Sequence, residues 1–139
     1  MQQEDSITID APPGRVWAVM SEVERWPEWT ASIRSVQLLT PGPLALASRA
    51  RIEQPRLPAA IWEVTALEPG RTFTWVSRYP GGFTAGTHTV TPTASGAGAS
   101  LHLAFNGPVG WLIGTLLGGM SRRYLRLEIE GLKRRSEEA

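Results

Sequence analysis

Polar and apolar residues alternate through most of this chain, and the spacing becomes helical in two places. Residues 6–10 alternate, with Ile7 and Ile9 on one face, and predict a half-buried first strand. Pro12 and Pro13 suit a helix start, because proline gives up no hydrogen bond in a first turn. Val16, Trp17 and Met20 then recur at helical spacing. Pro27 limits that helix, and Trp26 and Trp29 bracket a second short turn. Strand patterns follow at 33–39, 47–54, 60–67, 71–79, 83–91 and 99–106, separated by turn signals such as Pro41-Gly42-Pro43, Glu68-Pro69-Gly70 and Pro80-Gly81-Gly82. Residues 108–138 predict one long amphipathic helix. Its inner stripe would be Ile113, Leu116, Met120, Tyr124, Leu127 and Gly131, with the charged residues, Glu128 among them, mostly elsewhere.

A long helix arriving after a curved antiparallel sheet can be gripped by that sheet. Such a grip encloses space, and enclosed apolar space is where small molecules bind. The alternation fixes which strand residues face it. Phe73, Trp75, Ser77 and Tyr79 share a face; Trp62 joins Val64; His88 joins Val90; Leu103 and Phe105 join Leu101. His102 alternates against its leucine neighbours and should face solvent.

Composition narrows the function classes. Fourteen Lys and Arg against thirteen Asp and Glu give a net charge of +1, so no global field recruits nucleic acid or anionic lipid. With no cysteine there are no disulfides, thiolate metal sites or Cys nucleophiles. The first residues include Glu4, Asp5 and Asp10 and no apolar core of a signal peptide. The most apolar stretch, 109–120, is interrupted by glycines and falls short of the ~20 residues that span a bilayer. No repeat or linker divides the chain. These features predict one cytoplasmic domain over residues 1–139 that takes up no nucleic acid and forms no stable membrane association; a homodimer stays open.

The run from Ile9 to Trp17, the Trp26-Pro27-Glu28-Trp29 block, Trp62-Glu63-Val64, the stretch from Leu67 to Trp75 and the terminal Glu130-Gly131-Leu132-Lys133 resemble the polyketide cyclase/dehydrase group of the SRPBCC superfamily, START-like proteins related in fold to the birch-pollen allergen. The resemblance covers nearly the whole chain. It implies an α+β helix-grip fold, in which a curved sheet of six or seven antiparallel strands wraps a long C-terminal helix and two short helices lie between the first two strands. A shared fold does not transfer a reaction.

The candidate site is therefore an apolar cavity lined by Trp62, Phe73, Trp75, Leu103, Phe105, Leu116, Met120 and Tyr124, with Gln54, Ser77, Tyr79 and His88 as polar groups aimed into it. The competing picture is a solid core built from the same side chains. The first reading is binding of a small hydrophobic or aromatic, lipid- or polyketide-like molecule. The second is a cyclase or dehydratase acting on an aromatic precursor, with His88 and Tyr79 as acid and base, since imidazole titrates near neutrality. The third is a module whose apolar 109–120 segment meets a membrane or partner. Two histidines without cysteines or an inward carboxylate fall short of a metal set, and no residues call for a cofactor. Trp26 and Trp29 either plug one end of the sheet or form a lid.

Overall fold

The computed structural model describes Met1–Glu138. Strand β1 (Gln2–Ile9) is followed by helix α1 (Pro13–Ser21) and a 3-10 helix over Val23–Glu28. Strands β2 (Ser35–Leu38), β3 (Arg49–Glu53), β4 (Ala60–Glu68), β5 (Thr72–Tyr79), β6 (Gly82–Thr93) and β7 (Gly96–Asn106) come next. Helices α2 (Gly107–Leu116) and α3 (Gly118–Glu137) complete the chain. All seven strands form one antiparallel sheet in the order β1-β7-β6-β5-β4-β3-β2. This is the helix-grip arrangement, with seven strands. Pro13 opens α1 at its first helical position, as its missing N–H allows.

Strand faces follow the alternation. Ile9, Val36, Ala50, Ile52, Val64, Phe73, Trp75, Val90, Leu101 and Phe105 are all buried. The long hairpin β5–β6 closes through Pro80-Gly81, with Tyr79 opposite Gly82 and Gly81 in the left-handed region at φ 87°.

The C-terminal segment departs from the single rod predicted over 108–138. The helix breaks at Leu117 (φ −109°, ψ 12°), within a run where Gly114, Gly118 and Gly119 weaken helical preference. α2 lies flush on the sheet because Gly110 and Gly114 face it: a Cβ at Gly114 would meet the Met1 Sδ at 2.6 Å and the Phe105 ring at 3.0 Å. α3 is fastened along β1 and α1. Lys133 donates to the Thr8 carbonyl at 3.1 Å, Arg126 meets Asp5 at 3.2 Å, and the Asp10 N–H donates to Glu137 at 2.8 Å. Gly131 lies against the Trp29 carbonyl, where any side chain would collide, and Arg134 donates to the same oxygen at 2.8 Å.

The break also changes which side chains face inward. Leu116, predicted on the inner stripe, is 72% exposed, beside exposed Trp111 and Leu112. Met120 is half-buried and does not line the cavity between sheet and helices. The inward residues of this region are Ile113, Leu117, Ser121, Tyr124, Leu125 and Glu128. None of the described helices is long and apolar enough to cross a membrane.

Candidate functional site

The trough of the sheet is filled at one end and hollow at the other. At the filled end Trp26 and Trp29, both buried, come in from the 3-10 helix and its following residue. Trp26 packs against Phe73 at 6.5 Å and Trp75 at 5.2 Å between ring centroids, and its indole N–H donates to the Met20 carbonyl at 3.0 Å. The hollow end is a cavity of about 420 Å³ between β3–β7 and the helices. That volume falls within the ~300–1,000 Å³ range of ligand pockets.

Nine of the sequence candidates line this cavity: Gln54, Trp62, Trp75, Ser77, Tyr79, His88, Leu103, Phe105 and Tyr124. Phe73 does not. It lies one layer deeper, fully buried, with its ring stacked on the His88 imidazole at 4.4 Å and 6°. Leu116 and Met120 are absent from the wall because the helix break at Leu117 shifts the inward face to other positions. Trp26 and Leu57 are wall residues that the alternation does not single out.

Leu57 is carried by a turn over Gln54–Leu57, closed by the Leu57 N–H donating to the Gln54 carbonyl at 3.2 Å. Pro55 takes its second position, and Arg56 at φ 66° takes the place that normally favours glycine. Tyr124 from α3 donates to the Pro55 carbonyl at 2.5 Å and ties the turn across the cavity to the helix.

The polar groups are unevenly placed. Tyr79 bonds Thr84 at 2.8 Å near the β5–β6 turn. His88 pairs with Phe73, six residues from Tyr79 along β5, or roughly 20 Å at the rise of an extended strand. Tyr79 and His88 therefore cannot act together on one ligand atom. The partner of His88 is Glu128, whose Oε2 lies 3.7 Å from the imidazole Nε2, with both side chains largely buried. The amphipathic pattern turns Glu128 outward and leaves no inward acid near the histidines; the structure corrects both points. Tyr124 to Glu128 is one helical turn, so the inner stripe can run through 128 as readily as through Leu127. Only the charge on Glu128 argues against it.

Burial lowers the His88 pKa to about 3 and raises that of Glu128 to about 8. Near neutral pH the pair thus holds one proton, on the carboxyl group, and carries no net charge. The separation is longer than a hydrogen bond. His88 Nδ1 is buried without a partner. Phe73, Trp26 and Trp75 surround the imidazole at 4.4, 5.2 and 5.8 Å. His102 is turned away and meets Gln2 at 3.0 Å. Among the described residues, no cluster of three His, Cys, Asp or Glu side chains could hold a metal ion.

The family model described as "Polyketide cyclase / dehydrase and lipid transport" matches residues 2–137. The chain belongs to that family. No curated protein matches the chain. Solved structures of similar fold include TTHA0849 from Thermus thermophilus, with a TM-score of 0.79 at 17% identity, covering 98% of this chain and 97% of that one. The Zhui aromatase/cyclase from Streptomyces sp. R1128 has a TM-score of 0.78 at 15% identity, covering 99% and 93%. The di-domain aromatase/cyclase BexL from the BE-7585A biosynthetic pathway has a TM-score of 0.72 at 23% identity; the match covers 99% of this chain and 46% of that one. At these identities the likeness is one of fold.

Proposed function

We propose that this member of the polyketide cyclase/dehydrase and lipid transport family binds a small apolar or aromatic molecule in the cavity between sheet and C-terminal helices. One observation carries the reading: a space of about 420 Å³ whose exposed surface is mainly apolar, walled by Trp26, Trp62, Trp75, Leu103 and Phe105, with no lysine or arginine in its lining. Apolar walls supply affinity through burial, and the isolated polar groups orient the ligand. The reading comprises one domain over residues 1–139 working in the cytoplasm, without nucleic acid or stable membrane attachment; the net charge of +1 supports the first exclusion. Native mass spectrometry of the purified protein tests it. A co-purified organic molecule, displaced when Trp62 or Trp75 is changed to Ala, is expected. A protein that carries nothing and binds no member of an aromatic and acyl panel would refute it.

A second reading, favoured by the His88–Glu128 pair, is acid–base catalysis in the same cavity. A neutral imidazole beside a protonated carboxyl offers one base and one acid within a short reach, the combination that an enolisation, cyclisation or dehydration requires. Aromatase/cyclase neighbours such as Zhui lend this reading support. Turnover of a polyketide-like precursor that disappears in His88→Ala and Glu128→Gln while binding persists is its expected signature. Binding without turnover favours the carrier.

A further inference from the structure

The cavity wall contains one carboxyl group, Glu128, and no basic side chain stronger than the imidazole of His88. Among the described residues Glu128 accepts no hydrogen bond, and the one basic side chain within 4 Å of it is His88, at 3.7 Å. The arginines of α3 are directed elsewhere. Arg126 meets Asp5 and Glu130, and Arg122 and Arg123 are exposed. Three indoles, Trp26, Trp62 and Trp75, stand in the same wall, with Trp75 5.2 Å from Trp26 and 6.0 Å from Trp62. A lone acid inside an aromatic enclosure is an unbalanced arrangement, because a buried carboxyl is normally paired with a cation or held by hydrogen bonds.

We propose that the cavity takes an apolar amine, with its ammonium group seated on Glu128 and its hydrocarbon body among Trp26, Trp62 and Trp75. This deepens the ligand-binding reading and rests on it. The ammonium supplies the missing counter-charge, and the indole faces attract the same cation. An alcohol of equal shape gains only a neutral hydrogen bond. A carboxylate of that shape could only share the Glu128 proton, leaving one buried negative charge with no cation to offset it.

The proton balance is explicit. The amine arrives as an ammonium ion, the Glu128 carboxyl gives up its proton to the buffer, and no covalent bond forms or breaks. Since burial holds the empty site's carboxyl protonated up to about pH 8, amine affinity rises with pH, by up to about tenfold per unit, and levels off above that point. The other ionisable groups on this part of the wall are His88 from β6, which burial keeps neutral over this range, and Tyr124 one turn earlier on α3; Tyr79 from β5 lies toward the far end of the cavity. From β7, His102 is engaged with Gln2; on β1, Gln3 is uncharged and Asp5 is occupied by Arg126.

Titration calorimetry with naphthylethylamine, naphthylethanol and naphthylacetate, on the wild type and on Glu128→Gln, tests the assignment. At about pH 8 the amine binds at least about tenfold more tightly than the alcohol. Its lead shrinks toward about pH 6, and buffers of different ionisation heat register one released proton. In Glu128→Gln the alcohol binds as before and the amine's lead is gone. Equal affinity for amine and alcohol, or a lead that ignores both pH and the substitution, overturns the assignment while leaving the cavity reading intact. Failure of all three compounds to bind brings down the cavity reading and this inference with it. If Glu128→Gln does not fold, the pH slope and proton release of the wild type decide alone.

Discussion

The two ends of the same sheet teach different things about how a trough becomes either a core or a container. At one end Trp26 packs onto Phe73 and Trp75 of the sheet and Trp29 packs onto Trp26; Val16, Met20 and Val23 join the same core cluster, and Leu132 joins it from α3. At the other end α2 reaches the sheet through Gly110 and Gly114, residues with nothing to insert. The sheet offers comparable apolar faces to both. What differs is the side-chain volume delivered from the opposite side, so the hollow is set by the helices rather than by the strands.

That contrast can be broken by paired substitutions. Trp26→Ala should do the most damage, removing a fully buried indole at a cost of about 3–5 kcal/mol. Urea denaturation measures it, and a loss below ~1 kcal/mol would mean that the filled end is not packed. Two leucines give a sharper version with the chemistry held constant. Leu132→Ala, in the filled end, should cost about 3 kcal/mol, whereas Leu103→Ala, on the cavity wall, should cost about 1. Equal losses would erase the distinction between the two ends.

The pH dependence of stability separates the hollow end again. His88, with its pKa lowered by burial, makes the fold gain stability as pH rises from about 3 to its unfolded value of 6.5. Glu128, with its pKa raised, contributes stability that is complete below its unfolded 4.5 and is lost as pH climbs to about 8. Between 4.5 and 6.5 the two slopes oppose each other. Above 6.5 only the carboxyl acts, so stability should fall by up to about 1 kcal/mol per pH unit until about pH 8. Glu128→Gln should abolish that fall, which thermal melts across the range will register.

The smallest expected effect lies in the turn above the cavity. Arg56→Gly relieves a left-handed residue and should stabilise by about 0.5 kcal/mol without altering ligand affinity. A loss of affinity instead would give the Arg56 side chain a direct role at the site.

The strand faces are legible in the sequence because a period of two leaves little freedom: once Val64 is inward, so is Trp62, and the same holds for Phe73 through Tyr79. The resemblance carried by the Ile9–Trp17 and Trp26–Trp29 blocks supplies the topology. The helical side is less readable. A single inner stripe from Ile113 to Gly131 requires an unbroken helix, and the break at Leu117 resets the phase, sending Leu116 to solvent. Glu128 is hidden because charge is normally a reliable sign of an outward position on an amphipathic helix. A buried acid violates that pattern, and only the three-dimensional approach of β6 to α3 makes it visible. The Pro55-Arg56 turn is hidden similarly, since arginine is an unusual occupant of a left-handed position.

The central claim is that the hollow end receives a small apolar ligand. The six tryptophans provide a direct test, because Trp26, Trp62 and Trp75 line the cavity while Trp17, Trp29 and Trp111 do not. Adding naphthylethanol to isotopically labelled protein should shift the indole N–H resonances of the first three and leave the last three in place. Shifts confined to Trp17 or Trp111, or no shift at saturating ligand, would contradict the account.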